Sequence, residues 1–585
     1  MKKIFCLLIT FSLLLFAQCA NKISAKSVSW KTPEELLSLM TLDEKIGQMT
    51  QAERGDVRQG DITKYALGSI LSGGGSTPFQ NTPQGWVNMI NGFINESLKT
   101  RLGIPLIYGI DAVHGHNNAL DATILPHNVG LGAIAAGNLE NGAKAAYTAG
   151  RVTAQEMLAT GARWTFAPVL GVAEDVRWGR TYESFSENVN IVTVMGSNVI
   201  KGLQDNGVAA CMKHFLGEGQ SIDGHNQGNA LLDRAGIERI LPPYRAAIEA
   251  GAISLMPSFS SVNGVKMHES KNLLTDLLKK EMGFEGFVVS DWAAVTQLSG
   301  GNYKAQIANA INAGVDMVMA TNGRDWWVYF IKLLKDLVKE GTVPMARIDD
   351  AVLRILRFKQ RIGLFDTPLA KNANAIGTDA NRAVAWDLVA QSLVLLQNRN
   401  NVVAKMPSYK NILVAGQGAN DIGMQCGGWT ITWQGSHGHI TKGTTILEGI
   451  RNVAKGKAVT YAENGRAQGA FDAVIAVIGE DPYAETAGDS TQINIRYRDK
   501  DMLREVYGYK CPVIVIMLSG RPMTVGDEYK KWDAFIAAWL PGSEGGGIAD
   551  VLFGDKNFTG RTPYTWRKTI NGEILFPFGF GLSKS

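Results

Sequence analysis

Phe287-Val288-Val289-Ser290-Asp291-Trp292 is the stretch on which the fold reading turns. An apolar run bounded by Gly286 and a polar break reads as a strand buried on both faces, the habit of parallel sheets. Here the run stops at an acid followed by an indole. Asp291 has two readings: an N-cap for a helix over 293–298, or a carboxylate at the carboxyl end of a strand, where α/β barrels keep their chemistry. A carboxylate beside an indole suits a sugar ring, whose C–H face stacks on the aromatic while its hydroxyls take charged partners.

The surroundings of this stretch repeat its pattern. Apolar runs at 67–72, 105–110, 164–168, 209–215, 253–258, 287–290 and 316–319 alternate with amphipathic segments at 138–160, 192–204, 234–249 and 302–312. Such alternation predicts parallel strands joined by crossover helices. Seven or eight units of this kind predict an α/β fold with a (β/α)8 TIM-like barrel over 28–366. Asp111, Lys213-His214 and Asp291 each fall where one of these strands ends. A polar stretch with Pro368 and Gly377 predicts a linker over 367–380. A helix over 381–397 and strands over 412–415, 473–478, 513–518 and 535–539 predict an open layered α/β sandwich domain over 381–585.

The 585 residues are 45% hydrophobic and 19% charged, too many for one core. The net charge of +4 comes without a basic block, which argues against a nucleic-acid partner. Lys2 and Lys3 precede an apolar run at 4–16 too short to span a membrane, so residues 1–19 read as an export signal and no transmembrane span is expected. Phe16-Ala17-Gln18-Cys19 is either a loose lipobox with Cys19 lipidated or an ordinary cleavage region. Both predict an exported protein, periplasmic or attached to the outer surface of a bacterium. Cys211, Cys426 and Cys511 are scattered and form neither a disulfide framework nor a zinc pattern.

Several motifs resolve into plain structure. Gly416-Gln417-Gly418 lacks the third glycine of a dinucleotide turn. His114-Gly115-His116 has poor spacing for a metal without a third ligand. Ser519 and Ser543 lack a nucleophile elbow. The acid-rich loop at 479–486, after the strand at 473–478, is different. Glu480 and Glu485 are either solvated or a general acid that the second domain carries over the barrel mouth. In the loop containing Trp429 and Trp433, Trp433 reads as a stacking platform and Trp429 as packing.

These motifs resemble glycoside hydrolase family 3 along nearly the whole chain. The resemblance is carried by Gly109-Ile110-Asp111-Ala112-Val113-His114-Gly115, Arg177-Trp178-Gly179-Arg180, Tyr182-Glu183-Ser184, Lys213-His214-Phe215, Ser290-Asp291-Trp292, Pro482-Tyr483-Ala484-Glu485-Thr486 and Phe576-Pro577-Phe578-Gly579. It implies a retaining β-glycosidase, most similar to the two-domain β-glucosidases and exo-β-glucanases, with a small carbohydrate as substrate. In that reading Asp291 is the nucleophile and Glu485 the acid/base, with Glu480 as local rival. Asp111, Arg180, Lys213, His214 and Met256 surround the sugar, and Trp292 and Trp433 sandwich the next unit. Two carboxyls supply the chemistry, so neither metal nor cofactor is expected. The chain departs from the family pattern at Gln227 (for Glu), Phe259 (for Tyr) and Gln297 (for Arg). A β-xylosidase and a non-catalytic sugar-binding protein are the alternatives.

Overall fold

The structure, a computed structural model, describes residues 32–584 except 372 and 555. The segment expected to be an export signal, with Cys19, lies outside the described residues.

Eight strands form the first sheet: Thr50–Glu53 (β1), Ser69–Ser72 (β2), Ile107–Ile110 (β3), Trp164–Thr165 (β4), Ala209–Phe215 (β5), Ser254–Pro257 (β6), Phe287–Val288 (β7) and Val318–Met319 (β8). Their order is β7-β6-β5-β4-β3-β2-β1-β8, and every pairing is parallel. The sheet curls until its edges meet: Val289 bridges Met317, and Ser290 N donates to Met317 O at 2.8 Å. This is the expected TIM-like barrel, and all the strands' carboxyl ends share one mouth.

β1 is the strand the apolar pattern does not reveal. Its sequence, Thr-Gln-Ala-Glu, is polar, yet Thr50 and Gln51 are fully buried. Gln51 Nε2 donates to Ser69 Oγ at 2.7 Å and Thr50 Oγ1 to Ile46 O at 2.9 Å, so hydrogen bonds offset part of the burial, although Gln51 Oε1 has no partner among the described residues. The helix expected over 234–249 breaks into Arg234–Ile240 and Pro242–Glu249, because Pro242 and Pro243 lack the N–H groups a continuous helix needs.

The second sheet orders its strands β9-β14-β13-β12-β10-β11: Val394–Asn398 (β9), Asn411–Ala415 (β10), Ala458–Ala462 (β11), Ala473–Gly479 (β12), Val513–Leu518 (β13) and Ala534–Trp539 (β14). The helix expected over 381–397 ends at Ser392. The apolar Val394-Leu395-Leu396 instead pairs antiparallel with β14 as an edge strand. β12 is buried from end to end, and its carboxyl end delivers the acid-rich loop.

Tight backbone crossings join the two sheets' loops. A Cβ on Gly179 would sit 2.0 Å from Glu485 O, and within the second domain one on Gly428 would sit 1.9 Å from Tyr483 O, packing the tryptophan loop against the acid-rich loop. Asp489 ties two barrel loops at once, accepting from Gly179 N and Asn226 N at 2.8 Å each. Tyr182 Oη donates to Tyr483 O at 2.7 Å.

Candidate active site

Asp291 stands three residues past β7 and is 8% exposed. The helix expected after it is a single turn, Ala294–Gln297, with no side-chain cap. The capping reading therefore fails. Oδ1 accepts from Trp292 N at 2.6 Å, while Oδ2 has no hydrogen-bond partner among the described residues. Burial raises this carboxyl to about 7, with Arg180 opposing and Glu485 adding to the rise.

The other expected residues converge on the same mouth with unequal contacts. Asp111 follows β3 and accepts from Lys213 Nζ at 3.1 Å. Lys213 and His214 lie near the end of β5, both buried. His214 Nε2 is 3.6 Å from Asp291 Oδ2. Arg180, on the loop after β4, grips Glu183 with Nε and Nη2 at 2.8 Å each and lies 3.7 Å from Glu485 Oε1 through Nη1. Burial also raises the Glu485 carboxyl, with Arg180 opposing. Glu485 is held at a left-handed φ of 54°, a conformation that non-glycine residues adopt rarely and that clusters at functional sites. Met256 is buried within β6, where it adds apolar surface rather than a charge.

The rival acid is otherwise engaged. Glu480 accepts from Arg521 Nε, Tyr483 Oη and Gly520 N, each at 3.0 Å. With both oxygens occupied, it serves as the anchor of the loop that carries Glu485.

Trp292 and Trp433 are 41% and 46% exposed, whereas Trp429 is buried. The glycine run after β2 gives them room: a Cβ on Gly73 would meet the Trp292 ring at 2.9 Å, and one on Gly74 would meet the Trp429 ring at 2.9 Å and Trp433 Cα at 3.1 Å. Trp429 Nε1 donates to Glu183 Oε1 at 3.0 Å, so the buried indole stiffens the carboxylate that holds Arg180.

Four contributors escaped the sequence reading. His268 Nε2 accepts from Asp291 N at 2.9 Å; burial keeps that ring neutral, pushed down to about 3. Glu183 is the partner of Arg180, Glu218 lies against His214, and Lys266 braces the rim. Lys266 Nζ donates to Phe259 O at 2.7 Å, Gln297 Oε1 at 3.2 Å and Gln227 O at 3.4 Å, and Gln297 Nε2 donates to Gln227 Oε1 at 3.0 Å. The three family departures thus meet at one ammonium. Glu183, three residues from Arg180 in a quoted motif, and Glu218, four residues after His214, carried a sequence signal; His268 and Lys266 carried none.

The histidines of 114–116 are occupied elsewhere. His114 Nδ1 contacts Leu125 O at 3.0 Å and Nε2 contacts Thr430 Oγ1 at 3.1 Å, while His116 Nε2 contacts Thr160 Oγ1 at 2.8 Å.

A buried and a half-buried carboxyl with raised affinity for protons, carried by different sheets and sharing an arginine, make a candidate acid–nucleophile pair at a domain seam. The glycosyl hydrolase family 3 N-terminal domain matches residues 41–358 and the C-terminal domain residues 393–584. A lysosomal β-glucosidase of Dictyostelium discoideum is 33% identical over 93% of this chain and 73% of its own length. A periplasmic β-glucosidase of Salmonella typhimurium is 30% identical over 94% of this chain and 80% of its own. The crystal structure of an exo-1,3/1,4-β-glucanase from a Pseudoalteromonas species superposes with a TM-score of 0.88 at 36% identity, covering 94% of this chain and 74% of that one. The protein is therefore a carbohydrate-cleaving enzyme. It belongs to glycoside hydrolase family 3 and is a β-glycosidase.

Proposed function

We propose that this enzyme is a retaining β-glucosidase that removes glucose from the non-reducing ends of β-linked oligosaccharides or simple glucosides. The observation that carries this reading is the free, buried Oδ2 of Asp291 at the barrel mouth, with Glu485 reaching the same pocket from the second sheet. Oδ2 attacks the anomeric carbon, and the bond to the leaving oxygen breaks as Glu485 donates its proton to that oxygen. Water then attacks the glycosyl ester; Glu485 takes its proton, and Asp291 leaves as carboxylate. Asp111, Arg180 and Lys213 bind the sugar's hydroxyls, His214 closes the pocket beside Asp291, Met256 lines it, and Trp292 and Trp433 stack the next unit. The names of the relatives support glucose over other sugars.

Hydrolysis of 4-nitrophenyl β-glucoside, β-xyloside, β-galactoside and N-acetyl-β-glucosaminide by the wild type and Asp291→Asn tests the reading. Glucoside turnover that vanishes in the variant, with product binding retained, is the expected result. Normal turnover in Asp291→Asn refutes the nucleophile, and a preference for xyloside refutes the sugar.

We also propose export, supported by the signal-like first 19 residues and by the periplasmic relative. Among the described residues no helix is long and apolar enough to cross a membrane. Cell fractionation with palmitate labelling of wild type and Cys19→Ala distinguishes a lipid anchor from a free periplasmic protein.

A further inference from the structure

We propose that Glu218 is a positioning residue that fixes the protonation of His214, so that the ring presents an N–H from Nε2 to Asp291. This rests on Asp291 being the nucleophile.

Both nitrogens of the ring meet carboxyls. Nε2 is 3.6 Å from Asp291 Oδ2, and Nδ1 is 2.7 Å from Glu218 Oε2, off the line of an ideal hydrogen bond. The other oxygen of Glu218 accepts from His214 N at 3.2 Å, so the carboxyl is oriented by the very residue it faces. Its place is built for it: a Cβ on Gly171 would sit 2.5 Å from Glu218 Oε1. Tyr244 Oη, donating to His214 O at 2.6 Å, fixes the backbone from the other side.

The proton count follows from these contacts. A buried imidazole between two carboxyls needs one proton at each contact. With Asp291 ionised for attack, the second rests on Nε2, whether the first resides on Glu218 or on Nδ1. Burial pushes the Glu218 carboxyl up to about 7 and His214 well down, which favours the proton on Glu218. The charged and titratable groups around the ring are Arg180 and Lys213, which oppose its protonation; Glu183, which favours it; and His268 on the far side. Asp291 Oδ2, without another partner among the described residues, gains a donor whenever Nε2 carries its proton.

The test compares Glu218→Met with Glu218→Gln. Glutamine keeps its carbonyl on His214 N and turns its NH2 toward Nδ1, preserving the Nε2–H tautomer; methionine fills the space with no donor. In Glu218→Met the acid limb of kcat/KM on an aryl β-glucoside should move up by about one pH unit, a roughly tenfold loss at mildly acidic pH, because a carboxylate without its donor binds protons more tightly. Glu218→Gln should superimpose on the wild type. A Glu218→Met profile identical to the wild type overturns the proposal. Should Glu218→Met fail to fold, 15N NMR of histidine-labelled wild type decides: His214 protonated on Nε2 supports the assignment, and an unprotonated Nε2 refutes it. The tautomer is read without turnover, so its outcome stands apart from the fate of the nucleophile assignment under Asp291→Asn.

Discussion

Glu480 and Glu485 sit five residues apart on one loop, and local sequence offers no way to choose between them. Their surroundings do. Glu480 is held by a guanidinium, a phenol and a backbone N–H, whereas the Glu485 carboxyl meets the end of Arg180 at the longer distance of 3.7 Å. Removing one partner of a buried charge pair costs about 3–5 kcal/mol, so Glu480→Ala should lower Tm and lose activity on all leaving groups alike. Glu485→Ala should leave Tm nearly unchanged, spare substrates with activated phenol leaving groups, and be partly restored by azide. Steady-state rates on a leaving-group series, with calorimetry of both variants, check this; azide rescue confined to Glu480→Ala would reverse the assignment. The same scale separates what was legible. Asp291, Asp111 and Lys213-His214 stood out because each ends an apolar run. His268, Glu218 and Lys266 lie in polar or irregular segments, where a side chain acting through a second residue leaves no periodic trace.

The elements were legible where apolar runs were long, as at Ala209–Phe215 and Val513–Leu518. They were hidden where tertiary hydrogen bonds replaced hydrophobicity, as at Thr50–Glu53, or where a strand continued a helical run, as at Val394–Asn398. Loop crossings have no sequence signature beyond a glycine. Gly179 is the clearest case, since Arg180 beside it reaches toward Glu485 while Gly179 itself abuts the Glu485 carbonyl. Gly179→Ala should push the acid loop away and lower kcat by about 100-fold, the scale of a 1 Å misplacement of reacting groups, with little change in far-UV circular dichroism. An unchanged kcat would mean that the loop can give way at no cost.

At the scale of the whole molecule the site is paid for in stability. Burial raises Asp291 from 3.8 to about 7, so the folded state binds this proton more tightly than the unfolded chain does. The stability it contributes is full below pH 3.8 and is lost as pH rises through about 7. Above that, the buried anion costs on the order of a few kcal/mol. Asp291→Asn, which cannot ionise, should therefore raise Tm at pH 8 and leave it nearly unchanged at pH 4; calorimetry at both values tests the sign. The proposed attack by Asp291 needs the anion, so kcat/KM of the wild type should fall on the acid side with a limb near 7, far above an ordinary carboxylate. Asp291 and Glu485 interact, so the limbs belong to the pair.

Asp291 and Glu485, the proposed nucleophile and acid, ride on different sheets, and at the seam between them Gly179 abuts the Glu485 carbonyl. Catalytic rate is thus a caliper laid across that seam. Mild denaturant, cosolvent or a crowding ligand that slides one half against the other by a fraction of a bond length should silence turnover while both halves keep their own secondary structure. Activity would then report the docking of the halves earlier, and more finely, than any spectroscopic measure of folding.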